Sequence, residues 1–158
     1  MTDTTGYSRL QIALHWSVAI LVAYNYIFGE AAGEAFDQII EGEGGAATGT
    51  PLHVWVGLAV LALVVLRLVV RVAQGAPAAE PGLQGQLASW GHRLLYVLML
   101  AVPLGGAVAW FGLNEEVGDV HGAAANALMI LAGLHALVAL GHHFVLKDGI
   151  LMRMLRPR

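Results

Sequence analysis

Residues 118–158 read GDVHGAAANALMILAGLHALVALGHHFVLKDGILMRMLRPR. The apolar body of this stretch is long enough to cross a bilayer as a helix, which takes about 20 residues. It carries four of the chain's seven histidines: His121, His135, His142 and His143. Ionisable side chains are costly inside a membrane helix and tend to mark sites, so each of the four is a candidate. His121 and His135 are 14 residues apart. At about 3.6 residues per turn that is just under four turns, so both rings leave nearly the same face, roughly 21 Å apart along the axis. One falls near one membrane surface and the other towards the opposite surface. His142, seven residues past His135, continues that face outward.

The rest of the composition agrees with a membrane protein. Of 158 residues, 58% are apolar and 12% charged, against about 25% charged in soluble domains. The absence of cysteine excludes disulfides, thiolate ligands, iron–sulfur clusters and covalent haem attachment through a Cys-x-x-Cys-His motif. Any cofactor must be held by histidine, by oxygen ligands or by packing. The first apolar run contains His15 and lacks a small-residue cleavage site, so it reads as a retained span rather than a cleavable signal.

The sequence predicts an all-α membrane protein, a bundle of four transmembrane helices forming one domain, with spans at about 10–28, 51–73, 87–111 and 120–146. Residues 29–49 form a Gly-rich acidic connection, with a short surface helix predicted over Phe36–Ile40. Thr50 is the expected cap of the second span and Pro51 its first helical residue. Pro77 and Pro81 mark the linker that precedes the third span. Pro103 and the pair Gly105–Gly106 predict a kink in that span. Asp119 is the expected cap of the fourth, and Asp148–Gly149 its stop.

In this arrangement all eight Lys and Arg residues (Arg9, Arg67, Arg71, Arg93, Lys147, Arg153, Arg156 and Arg158) lie at one end of the bundle. The connections at the other end have none. The positive-inside rule therefore predicts both termini and the middle linker in the cytoplasm.

This topology pairs the histidines by depth, His15 with His135 near the cytoplasmic end and His53 with His121 near the outer end. Two imidazoles facing each other across a bundle suit a six-coordinate haem. Small residues nearby leave room for the macrocycle: Ala19, Gly57, Ala125 and Gly133. With no cysteine to attach it, a haem at each pair would be held non-covalently. With both axial positions filled, such iron moves single electrons and has no open site for a substrate. His92, His142 and His143 are expected at the cytoplasmic surface. They read either as solvated or propionate-contacting side chains or as candidates for a quinone site, where His supplies hydrogen bonds and protons. The Trp residues at span ends read as interface anchors.

Four stretches then resemble the bacterial cytochrome b561 family: YSRLQIALHW (Tyr7–Trp16), the His53 start with VLRLVVR (Val65–Arg71), GHRLLYVLMLAVPLGG (Gly91–Gly106) and LGHHFVLKDGILMRMLRP (Leu140–Pro157). The resemblance implies a four-helix bundle in a bacterial inner membrane, with two non-covalent b haems on His15, His53, His121 and His135, and electron exchange with ubiquinone. Some members of the family oxidise superoxide at the outer face. Here the outer connections are acidic, which disfavours an anion and suits a basic electron-carrier protein. Three functions follow as expectations. The first is electron transfer between a periplasmic-side donor and ubiquinone, with oxidoreductase activity if the donor is a small molecule. The second is a cytochrome subunit of a larger hydrogenase or dehydrogenase complex, and the third a non-haem transporter using His relays. Membrane lipid and quinone are expected partners, with a periplasmic carrier or catalytic subunit beside them; nucleic acid is not.

Overall fold

The computed structural model describes residues 6–42, 51–78 and 81–157. Among them are five α-helices and no strand: α1 (Arg9–Ile27), α2 (Glu30–Ile40), α3 (Leu52–Gln74), α4 (Leu83–Gly112) and α5 (Glu115–Gly141). A π turn, His142–Leu146, prolongs α5, and a short 3₁₀ turn, Leu151–Met154, follows. α1, α3, α4 and α5 with its π turn are long and apolar enough to cross a membrane.

Each helix start has a local cause. α1 opens on a capping box, with Ser8 Oγ accepting from the Gln11 N–H at 3.2 Å and Gln11 Oε1 from the Ser8 N–H at 2.9 Å. The same two side chains reach α3: Ser8 Oγ donates to Gln74 Oε1 at 2.6 Å, and Gln11 Nε2 donates to the Gly75 carbonyl at 2.7 Å. The start of α1 is thereby tied to the end of α3, which fixes the pair as antiparallel.

Four local expectations are corrected. Pro51 is the N-cap of α3 rather than its first helical residue, and the expected cap, Thr50, lies outside the described residues, as do Glu43 and Arg158. α4 begins at Leu83, four residues before the expected start. Gly82, at φ 86°, turns the chain, and Gly85 is buried in the first turn. Asn114, not Asp119, caps α5, its side chain accepting from the Val117 N–H at 3.0 Å. Glu115 and Glu116 then sit in the first turn, where the helix dipole favours carboxylates. The surface helix in the connection from α1 to α3 is longer than Phe36–Ile40, starting at Glu30. α4 remains helical through Pro103.

Only Leu113, in the left-handed region at φ 49°, and Asn114 separate α4 from α5, so those two helices must be antiparallel neighbours. α1 packs on α3, α3 on α4 and α4 on α5, while α5 meets α1 only lightly. α5 thus stands off from the helices that carry His15 and His53. The core is thin: Val18, Val60, Val64, Leu95, Met99 and Leu128, drawn from all four spans. In chain order these residues separate the His15, His92 and His135 positions from His53, Gly106 and His121, so the core divides the bundle into two ends. Large apolar side chains cover the outside, among them Val72 at 85% and Ile130 at 67% exposure. Water does not favour such a surface, whereas lipid does.

Ser8→Ala should destabilise the fold by about 1 kcal/mol through the lost cap. It also removes the Gln74 contact, and a lowered unfolding midpoint in detergent would register both losses. An unchanged midpoint would mean that neither the Ser8 cap nor its bond to Gln74 contributes.

Candidate functional site

At the acidic end, the rings of His53 (first turn of α3) and His121 (second turn of α5) meet edge to face with centroids 6.0 Å apart and planes at 89°. Each ring is oriented by a backbone carbonyl. His53 Nδ1–H donates to the Asn25 carbonyl at 3.1 Å, and His121 Nδ1–H donates to the Val102 carbonyl at 2.8 Å. A carbonyl only accepts, so both protons sit on Nδ1 and both Nε2 lone pairs are free. The Asn25 carbonyl is available because α1 is ending: the Gly29 N–H bonds to Tyr26 at 3.4 Å instead.

Between and around these rings lies a cavity of about 450 Å³, floored by Val60, Met99 and Leu128 of the core and roofed by Gly29–Asp37 of α2. Phe36 fastens this roof, its ring centroid 6.0 Å from that of Trp110 and one edge atom 3.4 Å from where a Gly118 Cβ would stand. Of the small residues expected to make room, Gly57 and Ala125 line the cavity; Ala19 and Gly133 do not. Sequence reasoning missed Gly106, which it assigned to a kink. A Cβ there would stand 2.8 Å from His121 Cε1, so only glycine lets α4 approach this ring. Gly29 is similar, with 3.1 Å to the Asn25 carbonyl and 3.3 Å to the His53 ring. Asp37, Glu115 and Asp119 also line this cavity. The Asn25 Oδ1 is buried there without a partner.

At the basic end, the His92 and His135 ring centroids are 5.0 Å apart, and His15 lies on the same side of the core. The surface position expected for His92 is therefore corrected. With α4 starting at Leu83, His92 is more than two turns into the helix and half-buried. Its Nδ1–H donates to the Ala88 carbonyl at 2.6 Å. His15 Nδ1 is buried without a partner. Trp16, expected as an interface anchor, donates its indole N–H to the Met154 carbonyl at 2.9 Å and so holds the tail against α1.

His142 and His143 lie on the π turn beyond this cluster. His142 is hydrogen-bonded to Asp148. That bond, followed by the N–H of Ile150, holds the Asp148 carboxyl below the usual carboxylate range. His143 stands edge-on to Phe144 at 4.8 Å. The two residues are thus in different surroundings, which the sequence did not separate.

Among the described residues no group of three or more His, Asp or Glu side chains is arranged to chelate a bare metal ion. Two imidazoles with free Nε2 atoms therefore suit a metal that brings its other ligands with it. Metal–nitrogen bonds of about 2 Å on opposite sides of one ion put imidazole centroids about 6 Å apart, which agrees with the His53–His121 separation. The carbonyl contacts at Nδ1 are the usual support of a ligating histidine. These residues fit a haem.

Comparisons with known proteins agree. Residues 6–157 match the family model described as prokaryotic cytochrome b561. The chain is 46% identical to "Cytochrome b562" of Cereibacter sphaeroides over 100% of both chains. It is 32% identical to "Probable superoxide oxidase CybB" of Yersinia pestis, covering 94% of this chain and 95% of that one. It is 28% identical to "Cytochrome b561 homolog 1" of Escherichia coli, covering 96% and 98%. With four apolar spans, a histidine-lined cavity and a match along nearly its whole length, the chain belongs to the prokaryotic cytochrome b561 family of multi-pass bacterial membrane proteins.

Proposed function

We propose that this protein carries electrons across the membrane through two non-covalent b haems, from a donor at the acidic end to ubiquinone at the basic end. Membership of a haem b electron-transfer family supports the general function. The observation that carries the detail is the His53–His121 pair, 6.0 Å apart at the cavity with both Nδ1 protons committed to backbone carbonyls. We assign His53 and His121 as ligands of the outer haem, and His15 and His135 as ligands of the inner one. α1 and α5, which would hold the inner group, stand apart from each other in the bundle. When bound between these histidines, each haem would supply one-electron oxidation and reduction.

The chain's own residues do the rest. The carbonyls of Asn25 and Val102 set the imidazole tautomers and ring directions. Gly106 and Gly29 give the rings room. The core leaves no water-sized path beside Val64, which is fully buried. At the basic end, His142 backed by Asp148 is our candidate to hydrogen-bond a quinone carbonyl and supply its protons, with His92 and His143 as alternatives. We take the acidic end as periplasmic and both termini as cytoplasmic, on the distribution of Lys and Arg.

The acidic surround of the outer cavity bears on the donor. Glu30, Glu34, Asp37 and Glu41 recur along one face of α2, all exposed. Asp37, Glu115 and Asp119 line the cavity itself. A relative carries the name of a probable superoxide oxidase, but superoxide is an anion that this face repels, whereas a basic carrier protein is attracted.

Three measurements test this reading. A pyridine haemochrome assay on the purified protein should find two haem b per chain, and Gly106→Ala should cost one of them by displacing His121. A single haem in the unaltered protein would refute the proposal. Haem reduction by a basic donor protein should slow as salt rises, whereas reduction by superoxide should quicken; a rate indifferent to salt would remove the role given to the carboxylates. His142→Ala should slow ubiquinone reduction with the haem spectrum intact, and a lost haem would make His142 a ligand instead.

A further inference from the structure

Arg67 lies 16 residues into α3 and seven before its end, roughly 10 Å in from the inner end of the helix. It is half-buried rather than at the surface. Its guanidinium stands over the Tyr96 ring at 5.4 Å. Tyr96 is one helical turn past His92, whose ring meets that of His135 at 5.0 Å, so the guanidinium lies at the His15 and His135 end of the bundle, and both imidazoles are among its electrostatic neighbours. Tyr7 and Arg71 are its other electrostatic neighbours. Around this cation are therefore two phenols, two imidazoles and a second cation one turn away.

No carboxylate among the described residues answers it. Seven of the described acidic side chains (Glu30, Glu34, Asp37, Glu41, Glu115, Glu116 and Asp119) belong to α2 and the start of α5 at the other end of the bundle. The remaining one, Asp148, is bonded to His142. Arg93, which also stands over an aromatic ring, is exposed, over Trp90 at 5.0 Å, where solvent and headgroups can balance it. An inward cation at this depth is costly unless it meets an anion.

We propose that Arg67 is the counter-charge for a carboxylate of the inner haem, and that it makes the inner haem the higher-potential one of the two. The proposal rests on the two-haem reading above and adds the order of the two potentials, which drives the flow in the direction already given. A fixed cation beside an iron stabilises the reduced form, which carries one more electron, while carboxylates stabilise the oxidised form. Arg67 sits with His15 and His135, whereas Asp37, Glu115 and Asp119 line the cavity of His53 and His121. Charge segregation therefore sets a downhill path from the acidic end to the basic end. Arg67 is a positioning residue in this scheme and need not touch a substrate.

The test is a spectroelectrochemical titration of the purified full-length holoprotein, with haem counted beforehand. Two one-electron components are expected, and His121→Ala should abolish the lower one. Arg67→Gln should shift the higher component downward and leave the lower unmoved, while Arg67→Lys should keep the higher one near its original value. If Arg67→Gln fails to retain the higher-potential haem and Arg67→Lys recovers it, the assignment stands in its binding form. Unmoved potentials in Arg67→Gln would overturn the proposal, as would a shift or loss confined to the component that His121→Ala removes. Those results in a two-haem protein reject Arg67 alone. A one-haem protein rejects the reading beneath it.

Discussion

An imidazole can offer a lone pair to a metal only when the proton on its other nitrogen has somewhere to go. In this protein backbone carbonyls receive it: Asn25 for His53, Val102 for His121 and Ala88 for His92. Two of these carbonyls belong to helices other than the one bearing the histidine, so helix packing and ring orientation are a single constraint. If α1 or α4 shifts, the donor geometry at the outer site is lost with it. The orphan carbonyl at the end of α1 is what an α-helix terminus offers anyway, and the fold uses it to aim a ring.

The same constraint explains the spread of small and large residues. α4 approaches α5 closely enough for Val102 to reach His121 only because Gly106 has no Cβ. α5 in turn packs on α4 and meets α1 only lightly, and the rings of His53 and His121 line the cavity between them. The core that remains is thin, six side chains across four helices, and most of the apolar surface is left for lipid. Stability in such a bundle rests on few contacts, of which the Ser8 and Gln11 bonds to α3 are among the most specific. α2 adds a roof that is acidic outside and fastened inside by Phe36 against Trp110.

Charge supplies the second organising theme. Acidic and basic groups occupy opposite ends, and the few that stray are informative. Asp148 answers His142 at the basic end, where the π turn His142–Leu146 ends the α-helical register that runs through His121 and His135. Arg67 enters the bundle with no carboxylate to meet it among the described residues. Electrostatics in a low-dielectric setting act over longer distances than in water, so these placements bear on any redox group held nearby.

The sequence by itself determined the class and the helices. Twenty-residue apolar runs in water-free surroundings have one backbone solution here, the helix, and charge placement separated the two ends. The depth pairing of His53 with His121 was also legible, because both lie at helix starts on the same side of the bundle. Local signals failed where long-range packing competes with them: Asn114 displaced Asp119 as a cap, and a buried Gly85 lengthened α4. That lengthening carried His92 from a presumed surface position into contact with His135. Tertiary structure alone decided which glycine faces which ring, which carbonyl holds which proton, and which arginine points inward. Those are matters of a few ångströms between residues far apart in the chain, and periodicity along one helix gives no information about its rotation against another.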